Sequence, residues 1–128
     1  MSPSEWESFI HKGKLVEEAF VKQHLQDVVW STKQQDTQEH WDVEGRLPNM
    51  NGDRFKFEIK GMKKINRGDK DVQDKLAWVE GKNVLGKPGW IRGLADYVVF
   101  ERFGSWLIVN RDELFKYTWK KLEDAGFP

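Results

Sequence analysis

The sequence contains no cysteine and carries no net charge, and each absence narrows the classes of protein to consider. Without cysteine there is no disulfide framework, no zinc site built on thiolates and no cysteine nucleophile. The 21 basic residues balance 21 acidic ones, so overall charge does not point to a nucleic-acid partner. No apolar run approaches the ~20 residues of a membrane span, and residues 1–9 lack the basic and apolar regions of a signal peptide. We therefore expect a cytoplasmic protein with no membrane partner.

The length of the chain, 128 residues, is that of one domain with one core, and we expect residues 1–128 to form a single unit. No repeat and no low-complexity run divides it. Seven tryptophans are many for this length. Most should lie in the core, because an aromatic ring buries more area than any aliphatic side chain.

Residues 40–64 predict two strands joined by the turn formers at positions 48–53. The first strand carries Asp42, and the second carries Glu58 and Lys60. Side chains alternate between the two faces of a strand, so Glu58 and Lys60 share one face. If the numbers of paired residues add up to an even number, as when Asp42 lies opposite position 58 or 60, Asp42 shares that face. We call this an even-sum register. A slip of one residue would separate Asp42 from the other two.

Two carboxylates and a lysine on one face suit the metal-assisted hydrolysis of a phosphodiester. Carboxylate oxygens are hard ligands for Mg²⁺, and one or two suffice when phosphate and water complete the coordination. A lysine beside a ligand can orient the attacking water or neutralise charge in the transition state. The alternative is a solvated strand face, since polar alternation is common to half-exposed strands.

The order Asp42, then Glu58-x-Lys60, resembles the PD-(D/E)XK nuclease superfamily, with Trp41 in place of the proline of that name. The resemblance implies a nuclease dependent on Mg²⁺ or Mn²⁺. It implies that Asp42 and Glu58 bind the metal, that the Ile59 carbonyl is a further ligand and that Lys60 positions the attacking water.

Residues 12–20 resemble the first helix of archaeal-type Holliday junction resolvases, in which a glycine is followed four residues later by a glutamate of the metal site. Glu17 occupies that position after Gly13, and Glu18 is the rival. The alternative for Glu17 is a surface ion pair with Lys14 or Lys22. This resemblance implies branched or structured DNA as substrate and a possible homodimer.

The remaining patterns complete an α/β fold. We predict a first helix from Ser4 to about His24, a strand at 27–32, a polar loop or strand edge at 33–39, a helix from Asp69 to about Gly81, strands at 94–102 and 106–110, and a last helix opened by Asn110 or Asp112, with Leu114, Phe115, Trp119 and Leu122 facing inward. The order helix, three strands, helix, strand matches the restriction-endonuclease-like core, with an additional C-terminal strand and helix.

Two further stretches bear on ligands. Lys12, Lys14, Lys63 and Lys64 form a basic group expected to contact phosphates. Gln73 is an additional site candidate, because some superfamily members place a glutamine on the helix after the Glu-x-Lys strand. Residues 81–88 nearly fit the phosphate-binding loop, but Pro88 lacks the hydroxyl that holds Mg²⁺. We therefore expect no nucleotide cofactor.

Together these patterns predict a metal-dependent endonuclease that hydrolyses DNA, of a recombination, repair or replication type. The alternative is a nuclease-like module that binds nucleic acid or protein without cutting. A fold supports many functions, so the site decides between the two.

Overall fold

The computed structural model describes residues 3–62, 91, 93–124 and 126; residues 3–12 and Leu122 are described by their backbone alone. The helices and strands are α1 (Pro3–His24), β1 (Gln26–Trp30), α2 (Lys33–Glu39), β2 (Val43–Arg46), β3 (Arg54–Lys60), β4 (Tyr97–Arg102), β5 (Ser105–Asn110) and α3 (Arg111–Asp124). The predicted α/β class is confirmed. The predicted helix from Asp69 to Gly81 lies outside the described residues.

The five strands form one mixed sheet in the order β1-β2-β3-β4-β5. Strands β3 and β4 are parallel, and the other neighbouring pairs are antiparallel. Strands β2 and β3 form the predicted hairpin, with Val43 opposite Phe57, which is an even-sum register. The hairpin turn needs left-handed backbone at Asn51 and Gly52, whose φ angles are 56° and 75°, and asparagine and glycine tolerate this conformation best.

Each face of the sheet carries its own apolar cluster. Helix α1 covers one face, where its Phe20 packs with Phe57 and Ile59 of β3. On the other face Val98 and Phe100 of β4 pack against side chains of α3. Alternation along β3 sends Glu58 and Lys60 to this second face, where the parallel register pairs them with Val98 and Phe100. The register therefore places the buried Glu58 next to Val98.

Two predictions of local structure were wrong. Residues 33–39 form helix α2 instead of a loop or a strand edge, because Thr32 and Gln35 build a capping box. The Thr32 hydroxyl accepts the Gln35 N–H (3.1 Å), and the Gln35 side chain accepts the Thr32 N–H (2.9 Å). Trp119 is 40% exposed instead of facing inward, and its indole N–H donates to Glu123 on the same helix (2.8 Å).

The start of α3 agrees with one of the two predicted caps. The side-chain oxygen of Asn110 accepts the backbone N–H of Glu113 at 2.9 Å, so Asn110 is the residue that caps this helix. No helix in the described part of the chain has both the length and the apolar character needed to cross a membrane.

Candidate metal site

Asp42 lies immediately before β2, and three hydrogen bonds fix its position. Its backbone N–H donates to Phe57 (2.8 Å) and its carbonyl accepts the N–H of Ser31 (2.9 Å). Its side-chain Oδ2 accepts the backbone N–H of Ile59 at 2.7 Å. The strand pairing of β2 with β3 therefore sets the position of this carboxylate.

Glu58 and Lys60 are two residues apart on β3, and Lys60 Nζ lies 2.7 Å from Glu58 Oε1. The Glu58 side chain is only 8% exposed. Its second oxygen, Oε2, is buried and has no hydrogen-bond partner among the described residues. A buried polar atom without a partner costs free energy, by about 1–3 kcal/mol and more for a charged group. This oxygen is therefore a buried hydrogen-bond acceptor to which no described group donates.

Asp36 on α2 joins these two carboxylates, although nothing in the sequence marked it as a site residue. One oxygen each from Asp36, Asp42 and Glu58 lies within 4.8 Å of the others. Helix α2 buries no side chain, and Asp36 is exposed. The capping box at Thr32 was a readable signal for the helix. The approach of its first turn to β3 is a tertiary contact that no local pattern carries.

Glu17 on α1 reaches the same group of acids. It is partly exposed, and its charge helps to raise the pKa of Asp42, so the two carboxyl groups lie close enough to interact. Its rival Glu18 is exposed. Of the two adjacent glutamates, the structure thus brings Glu17 to Asp42.

The pKa values of Asp42, Glu58 and Glu17 are raised. Burial, followed by the charges of Glu58 and Glu17, raises the pKa of Asp42 to about 10. Burial raises the pKa of Glu58 to about 7, against the lowering effect of Lys60. Burial also raises the pKa of Glu17, against the lowering effects of Asp42 and Lys14. Asp42 would therefore keep its proton at neutral pH, and Glu58 would be about half protonated, unless a cation compensated their charge.

The donor set fits a hard divalent cation. Mg²⁺, Mn²⁺ and Ca²⁺ take oxygen ligands, and all the donor atoms here are carboxylate oxygens. Ligands held at roughly 2.0–2.6 Å from one ion lie within about 5 Å of each other, and one oxygen from each of the three carboxylates lies within 4.8 Å of the other two. The vacant Oε2 of Glu58 supplies an acceptor that a cation would satisfy.

The other predicted site residues lie elsewhere or outside the described residues. Ile59 contacts the site through its backbone N–H. Lys14 places Nζ 3.7 Å from the ring centroid of Trp30, a cation–π contact. The side chain of Lys12, and all of Lys63, Lys64, Gln73 and residues 81–88, lie outside the described residues.

Comparison with known proteins identifies no relative: no family model matches the chain, and neither the curated proteins nor the solved structures contain a significant match. The functional argument therefore depends on the residues and the geometry of this chain.

Proposed function

We propose that the protein is a metal-dependent nuclease that hydrolyses phosphodiester bonds of DNA, with Asp42, Glu58 and Glu17 at its metal site and Lys60 beside it. The proposal combines the order of these residues in the sequence with their distances in the structure. It extends to the restriction-endonuclease-like core, which the helix, the hairpin and the parallel pairing of β3 with β4 support.

The proposal depends mainly on Glu58, whose buried Oε2 has no hydrogen-bond partner among the described residues. A buried carboxylate that has one oxygen without a described hydrogen-bond partner and that lies close to two other carboxylates is unfavourable in a protein without a ligand. A divalent cation would remove the repulsion and supply the missing interaction. A merely solvated strand face, in contrast, would leave its carboxylates in water.

Each residue has a separate task in this proposal. A bound Mg²⁺ or Mn²⁺ supplies Lewis-acid chemistry at a phosphate oxygen. Asp42 and Glu58 would hold the cation, and the charge of Glu17, which raises the pKa of Asp42, would add to the negative potential that favours a cation there. The ammonium of Lys60, 2.7 Å from Glu58 and partly exposed, is placed to hold the attacking water and to offset charge that develops on the phosphate.

The substrate and the oligomeric state are extensions of the same proposal. The resemblance to junction resolvases favours branched or structured DNA, an endonucleolytic cut and a homodimer. Lys14 has Nζ over Trp30, on an exposed part of α1. There it is available to contact a phosphate, which adds affinity without sequence preference.

A cleavage assay tests the proposal. Wild-type protein, Asp42→Asn and Asp53→Asn are incubated with a labelled four-way junction, a flap, a single strand and a duplex of matched sequence, with Mg²⁺, Mn²⁺ or EDTA. Asp53 is the matched control, because it is an exposed aspartate in the turn of the same hairpin. We expect metal-dependent cutting by wild type and Asp53→Asn and none by Asp42→Asn. Metal-dependent cutting that persists in Asp42→Asn would contradict the proposal.

The second candidate is a nuclease-like module that binds without cutting. One observation favours it: Lys60 pairs with Glu58, and Ile59 and Glu17 engage Asp42, so the group satisfies many of its own polar atoms. This candidate predicts binding of labelled DNA or of a protein partner, no cleavage of any of the four substrates and no dependence of binding on Mg²⁺.

A further inference from the structure

Helix α2 is a short exposed helix that is nonetheless held at both ends. The capping box of Thr32 and Gln35 fixes its start. At its end the carbonyl of Glu39 accepts the N–H of Leu94 (2.7 Å), and the Glu39 side chain accepts the indole N–H of Trp41 (3.2 Å). Since α2 buries no side chain, polar contacts instead of apolar packing determine where it lies.

The position of α2 brings Asp36 to the acids of the sheet. Its carboxylate lies within 4.8 Å of oxygens of Asp42 and Glu58. An exposed aspartate on a solvated helix has many rotamers that avoid like charge. Its place beside two carboxylates is unfavourable by itself and favourable once a cation lies between them.

We propose that Asp36 is a ligand of the divalent cation held by Asp42 and Glu58, so that helix α2 forms the outer wall of the metal site. The inference rests on the proposed function, since it adds a ligand to the same site. It is independent of the sequence motif, which contains neither Asp36 nor α2.

Two observations keep this from being a chance group of surface acids. Glu58, a member of the group, is buried, and its Oε2 has no partner among the described residues. The three carboxylates also come from three separate segments: a helix, the residue before β2 and the middle of β3. Their donors are oxygens alone, which selects Mg²⁺, Mn²⁺ or Ca²⁺ over the zinc sites that nitrogen and sulfur ligands build.

The three carboxylates differ in exposure, and this difference indicates the order in which an arriving cation would contact them. Glu58 is buried, Asp42 is partly exposed and Asp36 is exposed. A cation arriving from solvent meets Asp36 first and reaches Glu58 last. With the cation bound, Asp36 would link α2 to the sheet, and the backbone amides of residues 33–39 should exchange their hydrogens more slowly.

A calorimetric titration of the protein with Mn²⁺ as the only ligand tests whether Asp36 binds the cation. Wild type, Asp36→Asn and Asp112→Asn are compared at low ionic strength and in about 0.5 M KCl, where exposed charges farther than a few ångströms are screened. Asp112 is the matched control, because it is also an exposed aspartate in the first turn of a helix. Asp36→Asn should fold, since it removes an exposed charge and no packing.

We expect Asp36→Asn to weaken Mn²⁺ binding by about tenfold or more at both salt concentrations, and Asp112→Asn to bind as wild type does. Hydrogen exchange of residues 33–39 should slow on Mn²⁺ addition in wild type and not in Asp36→Asn. An effect of Asp36→Asn that vanishes in high salt would reduce Asp36 to a distant charge and overturn the inference while leaving the proposed function intact. Absence of Mn²⁺ binding by wild type would overturn both.

Discussion

The side chain of Asp42 accepts the backbone N–H of Ile59 at 2.7 Å, which ties a candidate metal ligand directly to the central strand β3. The same carboxylate is half-buried in the group that contains Glu58, and its pKa is raised to about 10. Strand pairing thus holds Asp42 in a place where its charged form is unfavourable without a cation. Under the proposed function, a cation would bind here in exchange for protons.

Replacing Asp42 by Asn should stabilise the metal-free protein at neutral and alkaline pH. The folded-state pKa of Asp42 is about 10, against an ordinary value of 3.8. The folded state therefore binds more protons than the unfolded state between these values, and stability falls as pH rises through them. We expect Asp42→Asn to gain about 1–3 kcal/mol at neutral pH, after allowance for relaxation around the charge, and little below pH 4.

Urea unfolding in EDTA at several pH values measures this gain. Asp53→Asn should show no comparable dependence on pH. Excess Mg²⁺ should reverse the order of stability, because the cation binds the folded wild type and not the variant. A loss of stability in Asp42→Asn at pH 8 without metal would contradict the prediction.

Affinity for Mg²⁺ should rise with pH across the neutral range. The cation needs ionised carboxylates, and burial raises the pKa of Glu58 to about 7 and of Asp42 to about 10, so binding must release protons. Calorimetry in buffers of different ionisation enthalpy counts these protons. We expect proton release at pH 7 and a weaker Kd at pH 6 than at pH 8. An affinity independent of pH would mean that the cation binds elsewhere.

Lys60→Met should separate the role of the lysine from that of the metal ligands. Without the ammonium 2.7 Å away, the pKa of Glu58 should rise further, since Lys60 lowers it. Under the proposed function we expect kcat for cleavage to fall about 100-fold or more, while Mn²⁺ still binds. Cleavage kinetics and calorimetry on the same preparation check this. Lys116→Met is the control. It replaces an exposed lysine of α3, and the variant should cleave normally.

Thr32→Ala should weaken metal binding without removing a ligand. The change removes the capping box of α2 and should cost the helix about 1 kcal/mol, so Asp36 would be held less firmly. We expect a modest rise in the Kd for Mn²⁺, of a few-fold. Thr37→Ala, an exposed threonine of the same helix, should bind as wild type does. Equal affinities for both variants would show that α2 is not coupled to the metal.

The hairpin could be predicted from the sequence because its signals are local. Phe55, Phe57 and Ile59 alternate with polar residues, and asparagine and glycine mark the turn. Once the register has an even sum, the shared face of Asp42 and Glu58 follows from the geometry of strands. The reach of Glu17 from α1 to Asp42 is a tertiary contact, and only its resemblance to resolvases suggested it.

Asp36 could not be found in the same way. Residues 33–39 are all polar, so they carry no apolar period by which a helix is usually recognised. Thr32 and Gln35 have the spacing of a capping box, but that spacing signals only where a helix starts. The approach of an Asp36 oxygen to within 4.8 Å of Glu58 depends on where α2 lies relative to the sheet, and contacts of this kind are absent from local patterns.

The two edge strands of the described sheet differ in how readily they could pair with a strand of another molecule. Edge strand β1 has a register shift between Gln26 and Val29, and Asp27 adopts a left-handed conformation with φ 53°; such irregularity hinders the addition of a further strand. Edge strand β5 pairs regularly along its length and exposes Leu107 and Ile108. Aggregation of concentrated or partly unfolded protein should therefore begin at β5, and a single lysine at position 108 is the change to make for better solubility.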